Sequence, residues 1–468
     1  MITRSLRLSA AQIAATTGGR VVAGDPTRRF AAAAIDSRDV PADALFIALP
    51  GNRVDGHDFV AAALARGATG ALTSRPLPAP LPAGAVEIRV DDTLAAVQQL
   101  ARTTRRSLGA RVIGVAGSNG KTTTKETLAA VLATRGRTFA TPRNENSQIG
   151  APLTVLAAPP GTEFLVLELG TSAPGELARL AEMAEPDLAV ITAAYAEHLE
   201  WLGDVAGVVA AETEILDHLA PDALALVGSA EPLLLAAARE RTRLRVRSLG
   251  ERTDDDWRLA AIRLERDGTH FTLARSDQRA RTWHVPLLGG PAAWAASFAI
   301  AVASELGLDE ASIHRGLEDV KAVAHRLNPL AHPRRPLFVV DDTYNSNPAS
   351  CLAAIDTTVA LAQAGDRLVL VLGDMLELGE ASAESHREVG GEIARRAPGA
   401  TLIAVGPESR LIAAVARADG VSVHEAEDAA AAAELLVSLL ADGHPSTVLA
   451  KGSRGIGLDH VVARVLAC

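Results

Sequence analysis

Short runs of apolar, β-branched residues alternate with long alanine-rich stretches along the chain. Runs of this kind begin at Arg111, Phe164, Leu188, Leu337 and Leu368. They are apolar at nearly every position, which is typical of parallel strands buried on both faces, and helix-forming residues fill the stretches between them. The pattern therefore predicts an α/β protein whose parallel sheets are covered by helices.

Proline-rich segments predict the breaks in this pattern. Pro76 to Pro82 holds four prolines in seven residues and predicts a surface loop. Asn328 to Pro336 holds three prolines and is interpreted as an interdomain linker. With a further boundary near Leu108, the 468 residues divide into three predicted domains, 1–107, 108–327 and 328–468.

Two segments have features of membrane or targeting signals. Val285 to Ser304 carries no charged residue over 20 positions, but its glycines, alanines and Pro291 favour a buried helix that begins near that proline. The first 24 residues contain three arginines and no acid, yet Ser9 predicts the N-cap of a domain helix. We therefore expect an unprocessed chain without membrane insertion.

Composition narrows the class of protein further. The 46 basic and 56 acidic residues give a net charge of −10, which argues against nucleic acid or an anionic membrane as the main partner. Hydrophobic residues make up 48%, which excludes wholesale disorder. Cys351 and Cys468 cannot form a disulfide framework, so we expect a cytoplasmic protein, and nothing in the pattern requires more than a monomer. No spacing of cysteines or histidines is typical of zinc sites.

The strongest chemical signal is the segment Gly117-Ser-Asn-Gly-Lys-Thr, between a predicted strand and a predicted helix that extends to about Arg135. Glycines let backbone N–H groups approach phosphate oxygens, and the helix N-terminus adds positive potential. Lys121 would neutralise the β- and γ-phosphates, and the Thr122 hydroxyl would bind Mg²⁺. The segment predicts a nucleotide-binding loop.

Two further polar positions follow predicted strands. Glu168 ends the strand 164–168, and His198 follows the strand 188–192. The carboxyl ends of parallel strands share one edge of the sheet, where such sheets bind ligands. Both residues are therefore predicted at the nucleotide site, although an exposed strand end or a structural histidine explains each one separately.

In order and spacing, the Gly117 loop, Glu168-Leu-Gly and His198-Leu-Glu resemble the motifs of the ATP-dependent Mur ligases. Asp36-Ser-Arg and Asp55-Gly-His-Asp-Phe resemble the N-terminal UDP-sugar domain of that family. Three segments resemble one branch of the family: Asp341-Asp-Thr-Tyr-Asn-Ser-Asn-Pro, Leu372-Gly-Asp-Met-Leu-Glu-Leu-Gly and Lys451-Gly-Ser-Arg. The resemblance covers essentially the whole chain. It implies a central P-loop ATPase-type parallel sheet between an N-terminal UDP-binding α/β domain and a C-terminal Rossmann-like domain.

That branch joins D-Ala-D-Ala to UDP-N-acetylmuramoyl-tripeptide, so the resemblance implies an ATP- and Mg²⁺-dependent amide ligase that acts through an acyl phosphate. The implied catalytic residues are Lys121, Glu168, His198 and Arg326. The implied ATP-binding residues are Gly117, Ser118, Asn119, Gly120, Lys121, Thr122, Thr123, Arg326, Asp342 and Asn345. The implied substrate-binding residues are Ser37, Arg38, Asp55, His57, Asn144, Lys451, Ser453 and Arg454. The implied metal ligands are Thr122, Glu168, His198 and Glu212.

Some of these assignments have structural alternatives. Lys451 to Arg454 is also compatible with a helix-capping turn, and Asn345 and Asn347 are also compatible with turn-forming roles before Pro348. The resemblance further implies that the third domain closes onto the second, with the predicted linker near Pro329 to Pro336 as the hinge.

The chain departs from the family at several positions. Glu212 aligns with a lysine that is usually carbamylated, and is either a metal ligand with a shorter arm or, like Glu214, a plain exposed helix charge. Ala292 and Ala295 replace asparagines that ordinarily help to hold adenine. Three hypotheses follow: the D-Ala-D-Ala ligase, a related amide ligase with another carboxylate and amine, and a non-catalytic nucleotide-binding descendant.

Overall fold

The computed structural model describes residue 6, residues 8–51 and residues 54–468. The first two arginines of the N-terminal segment, Arg4 and Arg7, lie outside the described residues. Within the described residues are three sheets of five, nine and six strands, each flanked by helices. The predicted α/β class with three domains is confirmed.

The first sheet has the order β1-β5-β4-β3-β2 and is parallel except for the β1–β5 pair. Ser9 caps the first helix through a capping box, as predicted. The segment from Pro76 to Pro82 lies between β4 and β5, outside helix and strand. The elements of this part are α1 (Ala10–Thr17), β1 (Arg20–Ala23), β2 (Ala32–Ala34), β3 (Ala44–Ile47), a 3-10 helix (Gly56–Phe59), α2 (Val60–Ala65), β4 (Ala68–Thr73), β5 (Val86–Arg89) and α3 (Thr93–Leu108).

The second part of the chain contains the sheet that positions the nucleotide loop. Its elements are β6 (Arg111–Ala116), α4 (Lys121–Ala133), β7 (Thr138–Ala140), α5 (Gly150–Ala157), β8 (Phe164–Glu168), α6 (Glu176–Ala184), β9 (Leu188–Ile191), α7 (Leu199–Leu202), α8 (Val205–Thr213), a 3-10 helix (Glu214–His218), β10 (Leu224–Gly228), α9 (Pro232–Arg239), β11 (Arg245–Gly250), β12 (Trp257–Glu265), β13 (Gly268–Arg275), β14 (Arg281–Val285), α10 (Gly290–Glu305) and α11 (Glu310–Glu318).

The order of this sheet is β14-β13-β12-β11-β10-β9-β6-β8-β7. The pairs from β7 to β12 are parallel, whereas β12, β13 and β14 form an antiparallel meander. β6 lies between β8 and β9, so the ends of these three strands open onto the same edge. The predicted proximity of the loop, Glu168 and the segment after β9 follows from this order.

The uncharged segment after Val285 contains the predicted buried helix. Helix α10 has Pro291 in its first turn, and its residues from Ala295 to Ala303 are buried between the sheet and α4. None of the described helices combines the length and the apolar composition that a bilayer crossing needs.

The third sheet has the order β15-β16-β20-β17-β18-β19 and is parallel except for the β15–β16 pair. Its elements are β15 (Asn328–Ala331), β16 (Leu337–Asp342), α12 (Pro348–Leu361), β17 (Arg367–Gly373), a 3-10 helix (Gly379–Ala381), α13 (Ser382–Arg396), β18 (Thr401–Val405), α14 (Ser409–Ala418), β19 (Ser422–Ala426), α15 (Ala429–Leu439), β20 (Ser446–Lys451), a 3-10 helix (Arg454–Ile456) and α16 (Asp459–Leu466).

The interpretation of residues 328–336 as an interdomain linker is wrong. Residues 328–331 form strand β15, which pairs with β16 and so belongs to the third sheet. An edge strand tolerates Pro329 because one side of its backbone has no strand partner. The connection between the second and third sheets is instead residues 319–327, after α11.

Candidate active site

The nucleotide loop joins the end of β6 to the start of α4. Gly117 and Gly120 have φ of +120° and +83°, and a Cβ atom on Gly117 would lie 2.2 Å from Thr192 Oγ1. Glycine is therefore required at that position. Among the described residues no side chain caps the N-terminus of α4, so its first backbone N–H groups are available to an anion.

Lys121 lies at the start of α4 with its ammonium group turned back into the loop. Its Nζ atom donates to the Gly117 and Ser118 carbonyls and lies 3.5 Å from Glu197 Oε1. Burial alone would lower the pKa of Lys121, but the carboxylates of Glu197, Glu212 and Glu168 outweigh it, and the net pKa is raised. The site therefore holds a half-buried, charged lysine where phosphate would bind.

Glu168 and Thr122 form an oxygen cluster beside the loop. The Thr122 hydroxyl donates to Glu168 Oε1 at 3.0 Å, and the Asn146 amide donates to the same oxygen at 2.8 Å. The other oxygen, Oε2, is buried and has no hydrogen-bond partner among the described residues, with Lys125 Nζ 4.0 Å away. A hydroxyl, an amide oxygen and an unpartnered buried carboxylate oxygen are ligands that suit Mg²⁺. The residues present fit this ion.

Glu212 lies behind the loop rather than in solvent. Its carboxylate is 2% exposed and accepts the Gly117 N–H at 2.6 Å. Burial raises the pKa of Glu212 to about 7, against the opposing effect of Lys121. Glu214 accepts the N–H groups of Gly175 and Ala178 near the start of α6. The alternative that both glutamates are plain exposed charges is wrong.

His198 connects the second and third domains. It has φ of +52°, and its Nδ1 atom lies 2.7 Å from Glu377 Oε2 of the third domain. Asn119 of the loop and Asn347 exchange two amide hydrogen bonds of 3.1 and 3.0 Å. The third domain is thus closed directly against the nucleotide loop.

Asn347 also caps α12 through a capping box, so it has a structural role at the start of this helix besides its contact with Asn119. Asn345 is exposed, and its backbone carbonyl accepts a hydrogen bond from Lys451 Nζ at 2.9 Å.

Two arginines flank one aromatic ring on the third-domain side. The Arg326 and Arg454 guanidinium carbons lie 4.2 and 5.7 Å from the centroid of Tyr344. Such contacts hold a guanidinium through cation–π attraction without neutralising its charge. The stacking therefore keeps two positive charges directed at the same cavity.

Lys451 is buried and pairs with Asp342 at 2.6 Å, while Asp342 Oδ1 accepts the Leu327 N–H. Ser453 is buried, and its hydroxyl accepts the Leu376 N–H at 2.9 Å. Arg454 opens a 3-10 turn. The segment thus combines a local structural role for Ser453 with two cations, Lys451 and Arg454, that line the cavity.

A cavity of about 630 Å³ lies between the second and third domains. It is lined by most of the predicted residues: Ser118, Asn119, Gly120, Lys121, Thr122, Thr123, Asn144, Glu168, His198, Arg326, Asp342, Asn345, Lys451 and Arg454. The predicted residues that do not line it are Ser37, Arg38, Asp55, His57, Gly117, Glu212 and Ser453. The structure therefore brings together the predicted ATP and metal residues and leaves the N-terminal substrate residues apart.

One part of the cavity wall is apolar. Ala292 and Ala295 of α10 contribute to it together with Ile262, Trp294 and Phe298. These side chains offer a flat apolar surface instead of amide groups. A base bound here would be held by packing rather than by hydrogen bonds from these α10 positions.

The N-terminal predicted residues form local networks in the first domain. Arg38 is exposed and pairs with Asp36 at 2.7 Å, next to Ser37. His57 is buried, with Nδ1 2.6 Å from Asp55 and with Nε2 accepting the Ser74 N–H at 2.8 Å. Because both ring nitrogens of His57 are engaged, the accessible group of this pair is the half-buried Asp55 carboxylate.

Asp55 should make stability depend on pH in the acid range. Hydrogen bonds from the His57 backbone and side chain lower the pKa of Asp55 to about 2. Because its folded-state pKa is depressed, its contribution is complete above pH 4 and is lost as pH falls towards 2. Urea unfolding from pH 5 to pH 2 should show a steeper loss in the wild type than in Asp55→Asn. The exposed Asp91→Asn variant is the control, and equal slopes in all three proteins would contradict this prediction.

Several residues at the site were not among the predicted site residues, and four of them make the contacts described above: Glu197, Asn146, Glu377 and Tyr344. Glu197 directly precedes His198, and Asn146 lies in the segment after β7, two residues after Asn144. Both are therefore close in sequence to residues that were predicted. Glu377 and Tyr344 belong to the third domain, and nothing local in the sequence pairs them with His198 and Arg326.

The fold and the cavity define a class of protein: three α/β domains with a cavity between the second and the third that is lined by a loop of the nucleotide-binding type. Three family descriptions match the chain. "Mur ligase family, catalytic domain" matches residues 30–105, "Mur ligase middle domain" matches 115–327, and "Mur ligase, glutamate ligase domain" matches 325–454.

Individual relatives agree with these matches. A Bacillus subtilis protein named UDP-N-acetylmuramoyl-tripeptide–D-alanyl-D-alanine ligase is 41% identical over 77% of each chain, and the Escherichia coli protein of the same name is 35% identical over 91% of this chain and 92% of its own. The crystal structure of MurF from Acinetobacter baumannii superimposes with a TM-score of 0.90 at 29% identity, over 99% of this chain and 100% of that chain. MurF from Thermotoga maritima in complex with ADP gives 0.80 at 27% identity, over 93% and 97%. The chain belongs to the Mur ligase family of ATP-dependent ligases.

Proposed function

We propose that this enzyme joins D-Ala-D-Ala to the terminal carboxylate of UDP-N-acetylmuramoyl-tripeptide, with release of ADP and phosphate, in peptidoglycan precursor synthesis. The observation that carries the proposal is the agreement between the site and the relatives. The relatives bear this activity as their name over 77% and 91% of the chain, and here Lys121, Thr122 and Glu168 line one cavity with Arg326 and Lys451.

The chemical problem is to bring an anionic carboxylate onto an anionic phosphate. Bound Mg²⁺ would neutralise phosphate charge, held by Glu168 and the Thr122 hydroxyl. Lys121 would exchange the Gly117 and Ser118 carbonyls for phosphate oxygens, which costs little motion because its Nζ atom already lies in the loop. Glu212 holds the Gly117 N–H behind the loop and so fixes the backbone that faces the phosphates.

The third domain and the connection that leads into it would supply charge from the opposite side of the cavity. Arg326 and Arg454, both close to Tyr344, direct two guanidinium groups to the cavity, and Lys451 adds a third cation paired with Asp342. The contacts Asn119–Asn347 and His198–Glu377 hold this domain against the loop. Closure excludes water from the cavity, which strengthens each charge interaction within it and protects an acyl phosphate from hydrolysis.

The remaining assignments are part of the same proposal. Asp55, Ser37 and Arg38 lie on the first domain, which supports a role in holding the UDP end, with His57 as the residue that fixes Asp55. His198, which lines the cavity, would complete the metal site, whereas Glu212, which lies behind the loop, would support the site through Gly117 rather than as a ligand. The functional domains would be residues 1–107, 108–327 and 328–468, and the enzyme would act as a monomer in the cytoplasm.

Release of ADP should depend on both substrates. Purified enzyme with ATP and Mg²⁺ is given UDP-N-acetylmuramoyl-tripeptide and D-Ala-D-Ala, each alone and then together, and the product is identified by mass spectrometry. We expect sustained ADP release and a UDP-linked pentapeptide only with both substrates. Because Glu212 is already a carboxylate, activity should not depend on added bicarbonate. Turnover with another carboxylate and amine but not with this pair would contradict the proposal.

A further inference from the structure

Two histidines and two carboxylates cluster in the β12–β14 meander, outside the residues that line the cavity. The candidate ligand atoms of Asp267, His270 and His284 all lie within 4.8 Å of one another. The Glu265 carboxylate, at the end of β12, also lies 4.0 Å from His270 Nε2. No role proposed above uses any of these four side chains.

Strand pairing brings these residues together. His270 of β13 lies directly opposite His284 of β14 in the antiparallel ladder, and their ring centroids are 4.5 Å apart. Asp267 lies in the turn between β12 and β13. The two histidines lie on neighbouring strands and not within one short motif. Their spacing therefore differs from the spacings by which zinc sites are recognised in a sequence.

Gly268 provides the space for this arrangement. It has φ of +146°, and a Cβ atom on it would lie 2.7 Å from His284 Nε2 and 2.2 Å from the Val285 carbonyl oxygen. Any other residue would displace the imidazole from the turn. The close approach of backbone and imidazole thus depends on a residue without a side chain.

The two imidazoles have unused nitrogen atoms. Among the described residues, neither His270 Nε2 nor His284 Nε2 has a hydrogen-bond partner, although both atoms are buried. Leaving a buried polar atom unpaired costs about 1–3 kcal/mol. A cation between the rings would use both lone pairs at once, which removes this cost.

We propose that Asp267, His270 and His284 bind one divalent transition-metal ion, with Glu265 as a fourth ligand, and that Zn²⁺ is the ion this set suits. Imidazole nitrogens with carboxylate oxygens are typical Zn²⁺ ligands, whereas Mg²⁺ prefers oxygen ligands alone. Bonds of about 2.0–2.1 Å place tetrahedral ligand atoms about 3.4 Å apart. The candidate ligand atoms of Asp267, His270 and His284 already lie within 4.8 Å of one another, so these three need only small side-chain movements to bind one ion, whereas Glu265, 4.0 Å from His270 Nε2, would have to turn towards it.

The position of this cluster suggests what the ion does. Arg266, in the same turn, stacks over Phe338 of β16 at 5.4 Å, which is a contact with the third domain. The chain after His284 continues to Leu287 and Leu288, which line the cavity, and then to α10. A bound ion would tie the β12–β13 turn to β14 and stiffen the boundary between the domains.

Zinc stoichiometry tests the site directly. Equilibrium dialysis against micromolar Zn²⁺ without nucleotide, followed by metal analysis, compares the wild type with the double variant His270→Gln/His284→Gln. The half-buried His424→Gln variant, in β19, is the matched control. We expect the double variant to bind one equivalent less than the wild type and the control to bind the same amount. The test compares the number of Zn²⁺ ions bound per protein in the three proteins. Any Zn²⁺ bound at Glu168 and His198 is present in all three and does not affect this comparison. Equal stoichiometry in all three proteins would overturn the proposal.

A second variant covers the case in which the double variant does not fold. Asp267→Asn changes an exposed turn residue and removes one ligand charge, so Zn²⁺ affinity should fall at least tenfold. Zn²⁺ should raise the Tm of the wild type and of His424→Gln by more than that of Asp267→Asn. ADP release with Mg²⁺ and ATP should be unchanged in this variant, which separates this site from the proposed ligase activity. An identical Zn²⁺-dependent rise in Tm in Asp267→Asn would count against the site.

Discussion

Replacing Lys121 by alanine should lower the turnover number for ADP release by about 10³-fold, the loss typical of removing a charge-stabilising donor from an active site. Its ammonium group lies in the loop, donates to the Gly117 and Ser118 carbonyls, and belongs to a side chain that lines the cavity. Steady-state ADP release with saturating ATP, tripeptide and dipeptide measures the effect.

Matched measurements separate this effect from loss of folding. Lys321→Ala removes an exposed lysine and should keep at least half of the wild-type turnover. Thermal unfolding should show that Lys121→Ala remains folded, because the change shortens one side chain that lines a cavity and leaves the apolar cores of the domains intact. Turnover within tenfold of the wild type in Lys121→Ala would contradict both the role of Lys121 and the proposed acyl-phosphate route.

Much of the central site could be predicted from sequence because its signals are local. Strands β6, β8 and β9 are largely apolar runs: the nucleotide loop follows β6 directly, Glu168 ends β8, and His198 comes in the segment after β9. Parallel pairing then places those ends together, so Lys121, Glu168 and His198 share one cavity. The order of these strands within the sheet could not be predicted from the sequence and is given by the structure.

Contacts across domains could not be predicted in the same way. Glu377 and Asn347 reach His198 and Asn119 only because the third domain closes on the second. The position of Glu212 could not be predicted either, because a glutamate on an otherwise apolar helix can be an exposed charge or a buried ligand. The structure shows that Glu212 is buried and accepts the Gly117 N–H.

One further sequence interpretation failed for an identifiable physical reason. Prolines normally exclude a strand, but Pro329 lies on an edge strand, where one side of the backbone needs no partner. The proposed zinc site could not be predicted from the sequence, because a β-meander, rather than a short motif, brings His270 and His284 together.

Substituting Glu168 by glutamine should weaken the response to Mg²⁺ and lower turnover by about 10²-fold. Glutamine keeps an oxygen that can accept the hydrogen bonds from Thr122 and Asn146, so the fold around it should persist. The change replaces the unpartnered oxygen Oε2 by an amide group that donates instead of accepting. A cation at that position would lose a full negative charge and a ligand. We therefore expect half-maximal activity to require at least tenfold more Mg²⁺.

The decisive measurement is the Mg²⁺ dependence of ADP release at saturating ATP, compared with Glu163→Gln. Glu163 precedes the same strand at its other end and is exposed, so this control removes one carboxylate from β8 without touching the site. Its Mg²⁺ response should match that of the wild type. If Glu168→Gln lost turnover with an unchanged Mg²⁺ requirement, Glu168 would act on the loop through Thr122 rather than on the metal, and Oε2 would need another partner in the closed enzyme.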